Sequence, residues 1–118
     1  MNQLVAVYGS LREGFGNHSL LEGATKLSKE SITGEYTMLD LGAFPGVILE
    51  GNTPLVVEVY QVDEPTFNRL DMLEGYPSFY NRKKISTSAG EAWIYFLEGR
   101  EGWSNSYVKS GDWTKRNQ

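Results

Sequence analysis

The apolar run Leu4 to Tyr8 is unbroken and predicts a strand buried on both faces, ending at Gly9 in a loop that also holds Gly14 and Gly16. Asn17 is placed to cap a short helix through Glu22, with Leu20 and Leu21 inward and Gly23 ending it. Strands are expected at Lys26–Ile32, Gly34–Asp40, Val47–Leu49 and Leu55–Val62, the last of them rich in β-branched residues. Asp63 then caps the most legible helix, with Glu64 and Pro65 in its first turn and Gly75 at its end. At about 100° per residue, Phe67, Leu70 and Leu73 form its apolar side, and Glu74 falls within roughly 20° of Phe67. Tyr80–Ser88 and Glu91–Leu97 read as a hairpin turning at Ala89-Gly90. Trp103, Tyr107 and Trp113 suggest core covering, and Lys115–Gln118 a frayed end.

At 118 residues the chain is expected to form a single domain, residues 1–118. Its 40% hydrophobic and 22% charged content is that of an ordinary globular protein. The absence of cysteine excludes disulfides and thiolate chemistry. No basic leader with an apolar core and no membrane-length apolar run is visible, so a cytoplasmic protein without a membrane partner is expected. A net charge of -4 argues against a nucleic-acid partner. The basic run Arg82-Lys83-Lys84 reads instead as a solvated sheet edge.

The candidate chemistry is correspondingly narrow. Gly9 and Gly14 have phosphate-loop spacing, but Phe15 and Gly16 stand where a lysine and a hydroxyl residue are required, and no dinucleotide fingerprint fits. Ser10 lacks a nucleophile elbow, and His18 is the sole histidine, read as a surface or helix-start residue. No metal is indicated. What remains is Glu74, a carboxylate on the apolar side of a helix. Burial there would raise its pKa, as proton transfer near neutrality requires. Backbone N–H groups after the first strand would supply an anion site.

Tyr8-Gly9-Ser10-Leu11-Arg12, followed by Asn17 and Leu20, resembles the opening motif of the γ-glutamylcyclotransferase-like proteins. The resemblance runs on through Tyr36, Asp40-Leu41-Gly42, Phe44-Pro45-Gly46-Val47, Glu58-Val59-Tyr60, Leu70-Asp71-Met72-Leu73-Glu74-Gly75-Tyr76-Pro77, Tyr80-Asn81-Arg82 and Ser110-Gly111-Asp112-Trp113. One departure is Val57, where many relatives carry glycine. The resemblance implies an α+β fold, a small mixed β-barrel flanked by two short helices, with the pocket at one mouth. It also implies cyclisation of a γ-glutamyl amide to 5-oxoproline with release of a free amine or amino acid, without cofactor or metal. Glu74 matches the family's catalytic glutamate. In that scheme Tyr8 shapes the loop, Gly9, Ser10 and Leu11 bind the substrate's α-carboxylate or the developing oxyanion, and Tyr80 and Arg82 wall the pocket. The loops at Gly42–Gly46 and Gly99–Tyr107 are candidates for the pocket mouth. The expected partner is the small-molecule γ-glutamyl substrate, with the chain a monomer or weak homodimer.

Two other functions fit parts of the pattern. A non-catalytic protein binding a γ-glutamyl-like group or carboxylate could use the same scaffold. A docking protein would display Trp103 and Trp113 on its surface.

Overall fold

The computed structural model describes residues 2–98 and 107–115. Among these residues, seven strands and one α-helix follow in order: β1 (Gln3–Val7), β2 (Thr25–Ile32), β3 (Thr37–Asp40), β4 (Pro45–Ile48), β5 (Leu55–Val62), α1 (Glu64–Glu74), β6 (Asn81–Thr87) and β7 (Gly90–Phe96). Short 3-10 turns occupy Gly16–Leu21 and Trp113–Lys115. Five strands form one mixed sheet in the order β2-β5-β1-β7-β6, and β3 and β4 form a separate pair. β1 runs antiparallel to β5, with Ala6 opposite Val59, and parallel to β7 at Val5–Trp93.

The continuous apolar character of β1 follows from this position. Val5 and Val7 pack with Phe67 and Leu70 of α1, whereas Ala6 and Tyr8 join Met38, Val47, Val57, Val59, Ile94 and Trp113 on the opposite side. Trp113 is almost fully buried, as core covering requires, while Tyr107 is exposed. Trp103 and Arg116–Gln118 lie outside the described residues.

The sheet is not closed into a barrel. It curls far enough for Glu30 of β2 to accept hydrogen bonds from the backbone N–H and hydroxyl of Ser88, at the β6–β7 turn. That contact is made by a side chain, and no ladder joins β2 to β6. Both edges carry exposed charges, Lys26 and Lys29 on β2 and Lys83 and Lys84 on β6, which disfavour strand pairing.

Helix α1 forms as its end signals dictate. The Asp63 carboxylate accepts from the Thr66 N–H at 2.9 Å. Gly75 takes the left-handed conformation (φ 64°, ψ 35°), and the Gly75 and Tyr76 N–H groups turn back onto Met72 and Asp71 carbonyls. The expected first helix is instead a 3-10 turn. Asn17 does not cap it through its side chain; its amide donates to the Ser10 hydroxyl at 2.9 Å. Residues 34–36 are not strand, because the Tyr36 carbonyl accepts from both the N–H and hydroxyl of Thr53 and closes a loop.

Candidate active site

β1 delivers its C-terminal end into a cavity of about 310 Å³. Tyr8, Gly9, Ser10, Leu11 and Asn17 line one side, Leu73, Glu74, Phe79 and Tyr80 another, and Ala43–Pro45 and Tyr95 complete it. Six of the seven residues expected at the site therefore meet there: Tyr8, Gly9, Ser10, Leu11, Glu74 and Tyr80.

Arg82 does not line the cavity. Its Nε and Nη2 donate to the Asp71 carboxylate at 3.0 and 3.3 Å, and its guanidinium sits 4.1–4.8 Å from the Tyr76, Trp93 and Phe67 ring centres. A paired carboxylate and three ring faces hold the cation away from the cavity.

The loop after β1 is shaped by its own hydrogen bonds. The carbonyls of Gly9 and Ser10 accept from Arg12 and Asn17, while the N–H groups of Gly9, Ser10 and Leu11 donate to no acceptor among the described residues. The Ser10 oxygen accepts from Asn17, which leaves its own proton to donate. Gly9 is required by close approach: a Cβ there would meet Pro45 Cγ and Cδ at 2.7 and 2.8 Å.

A buried ionic cluster anchors the loop from below. Arg12 donates from Nε to Glu58 Oε2 at 3.0 Å and from Nη1 to Asp112 Oδ1 at 2.8 Å. Glu58 Oε1 also accepts from the Glu13 N–H and the Tyr60 hydroxyl, each at 2.9 Å. Burial alone would raise the Glu58 carboxyl, but the Glu13 N–H, Arg12 and Tyr60 outweigh it and hold the pKa low. Burial likewise opposes ionisation of Asp112, yet the Thr114 hydroxyl and Arg12 bring it to about 2. Gly111 makes this reach possible. Its φ is 69°, and a Cβ would collide with the Pro54 carbonyl. The cluster joins the segments beginning at Tyr8, Glu58 and Ser110. In the sequence Glu58 stands out only as part of the Glu58-Val59-Tyr60 motif of the family resemblance, which attaches no role to it.

Glu74 is the last residue of α1; it is half-buried, and no hydrogen bond joins its carboxylate to the described residues. Burial pushes its pKa to about 7. The three tyrosines around the cavity have their protons committed elsewhere: Tyr8 to the Tyr95 carbonyl (2.7 Å), Tyr80 to the Pro45 carbonyl (2.6 Å) and Tyr95 to Asp71 (2.7 Å). Burial drives all three hydroxyls above their ordinary range, with the nearby Glu74 charge adding to the shift. They form walls. Among the described lining residues, Glu74 is the side chain whose pKa lies near neutrality. Among the described residues no three His, Asp or Glu side chains converge as a metal site. Of the expected mouth loops, Gly42–Gly46 contributes Ala43, Phe44 and Pro45. Residues 99–106 lie outside the described residues.

Fold and cavity together define a small mixed-sheet protein whose cavity is lined by one carboxylate of raised pKa and by a loop with three backbone N–H groups lacking an acceptor among the described residues. Residues 5–115 match the family described as γ-glutamyl cyclotransferase, AIG2-like, and the chain belongs to that family. A Vibrio cholerae relative provisionally named as a γ-glutamylcyclotransferase is 43% identical, covering 98% of this chain and 99% of that one. The γ-glutamylcyclotransferase family protein YtfP of Escherichia coli is 36% identical over 97% of this chain and 98% of its own. Its solution structure superposes with a TM-score of 0.75 over the full length of both. A Niallia circulans protein named γ-L-glutamyl-butirosin B γ-glutamyl cyclotransferase is 47% identical over 59% of this chain and 44% of its own length.

Proposed function

We propose that this protein cyclises a γ-glutamyl amide to 5-oxoproline and releases the free amine or amino acid. The reading rests on one observation above all: Glu74 lines the same cavity as Gly9, Ser10 and Leu11, whose amides have no acceptor among the described residues.

The substrate supplies its own nucleophile. Its α-amine attacks the γ-carbonyl carbon, forming a carbon–nitrogen bond and a tetrahedral oxyanion, while Glu74 takes the proton lost by that amine. Collapse of the oxyanion breaks the bond to the leaving nitrogen, which receives the proton from Glu74. Proton and charge balance over the cycle. The loop amides and the Ser10 hydroxyl serve the substrate's anionic oxygens, the α-carboxylate and the developing oxyanion. Tyr8, Tyr80 and Tyr95 hold the chain curled, and intramolecular attack of this kind removes several kcal/mol from the barrier. A carboxyl with a pKa near 7 can both accept and return a proton at neutral pH.

The test is incubation with γ-glutamyl amines and γ-glutamyl dipeptides, reading 5-oxoproline. Product is expected with at least one class. Thermal stabilisation by these compounds with no product over hours would instead identify a binding protein. The near-complete burial of Trp113 removes one residue from the alternative of an aromatic docking surface.

A further inference from the structure

Resting on this cyclotransferase reading, we infer that the leaving group the site selects is an apolar or aromatic amine, and that Phe44, Leu73 and Phe79 read it. The cavity is graded from floor to rim. Val7, Tyr8, Gly9, Tyr80 and Tyr95 are buried at its base, whereas Ala43, Phe44 and Leu73 are exposed at its edge. The polar requirements of a γ-glutamyl group, an α-carboxylate, an amine and a reacting carbonyl, can be met at the amides of residues 9–11, at Ser10 and at Glu74. With the reacting carbon beside Glu74, the leaving nitrogen faces the rest of the described lining, which is Ala43, Phe44, Pro45, Leu73 and Phe79, with Asn17 engaged on the Ser10 hydroxyl.

That wall is apolar and organised. The Phe44 and Phe79 rings meet edge to face with centroids 6.2 Å apart, and Phe79 packs at 90° on Tyr80, centroids 4.9 Å apart. Phe44 is 38% and Leu73 42% exposed, so an apolar group lying along the rim would take their surface out of water. At about 310 Å³ the cavity lies at the small end of the roughly 300–1,000 Å³ typical of ligand sites. The leaving group therefore extends along the rim, where its carbon atoms would cover these side chains. The charge of the described lining points the same way: Glu74 is its carboxylate, and none of these residues is Lys, Arg or His.

The experiment compares γ-glutamyl benzylamide, γ-glutamyl methylamide and γ-glutamylglycine in kcat/KM for 5-oxoproline release. The benzylamide is expected to exceed the methylamide by about tenfold or more, the low end of what one extra apolar group in a pocket supplies, and γ-glutamylglycine to rank last. In the double variant Phe44→Ser/Leu73→Ser the benzyl-to-methyl ratio is expected to fall below about threefold, and a general folding defect cancels in that ratio. Equal rates for benzylamide and methylamide, a preference for γ-glutamylglycine, or a ratio unchanged in the double variant would each overturn the inference. Binding to Glu74→Gln, measured by isothermal titration with the same three compounds, separates the two levels. Preferential benzylamide binding without turnover in the native protein would overturn the cyclotransferase reading and leave the rim assignment standing, whereas turnover without that preference does the reverse.

Discussion

Replacing Glu74 with glutamine preserves the side chain's volume and removes its titration, so the variant isolates the cost of holding a charge in the cavity. Burial raises the carboxyl from its ordinary 4.5 to about 7. The sign follows directly. Below 4.5 the group is protonated in folded and unfolded chains alike and costs nothing. Between 4.5 and 7 the unfolded chain ionises while the folded one resists, so stability falls as pH rises; above 7 the full penalty is in place. At 1.36 kcal/mol per pH unit the penalty is about 3 kcal/mol, of which about 2.5 develops from about pH 5 to about pH 8. Glu74→Gln does not carry it. The variant's stability relative to the native chain should therefore grow by about 2.5 kcal/mol over that interval, which for a chain this long is roughly 10 °C in Tm. Any fixed cost of seating the amide cancels in the comparison, as do the contributions of Glu58 and Asp112, which both proteins share. Chemical denaturation of the pair in matched buffers reads the difference. Curves that run parallel from acid to alkaline pH would refute a half-buried carboxylate whose charge is disfavoured at this position.

Other perturbations probe the frame around that carboxylate. Gly9→Ala drives a methyl into Pro45, so we expect a loss of about 1–3 kcal/mol and a fall in 5-oxoproline release larger than unfolding explains; unchanged stability would contradict the close approach. Arg12→Ala leaves Glu58 buried without its cation, and a loss of about 3–5 kcal/mol is expected in urea melts. Recovery of most of that loss in Arg12→Ala/Glu58→Gln would follow from the same cause. Arg82→Ala breaks the Asp71 pair and three ring contacts outside the cavity. It should lower Tm while kcat/KM of the folded fraction stays within a few-fold, and abolished turnover would place Arg82 in the chemistry after all.

Much of this arrangement is visible in the residue pattern because its causes are local. Asp63, Pro65 and Gly75 fix the ends of α1, and those ends fix the azimuth of Glu74 relative to Phe67. The double burial of β1 follows from five successive apolar residues. The less legible features depend on contacts far apart in the chain. Leu73 is spaced like Phe67 and Leu70, yet the cavity opens beside it and leaves it exposed. Arg82 lies two positions from Tyr80, but Asp71, Tyr76 and Trp93 draw it to a different environment. Whether the sheet closes depends on the distance between β2 and β6, which no local periodicity encodes. Arg12, Glu58 and Asp112 are separated by 46 and 54 positions, so their cluster emerges only when β1, β5 and the Ser110–Trp113 segment come together.

The most direct test of Glu74 as the proton carrier is the pH dependence of kcat/KM for 5-oxoproline release from a γ-glutamyl amide, compared between the native chain and Glu74→Gln. The native protein should show an acid limb with an apparent pKa near 7, set by the need for the ionised carboxylate, and the variant should lose turnover across the range. A variant that releases 5-oxoproline at the native rate, with the same acid limb, would contradict the assignment.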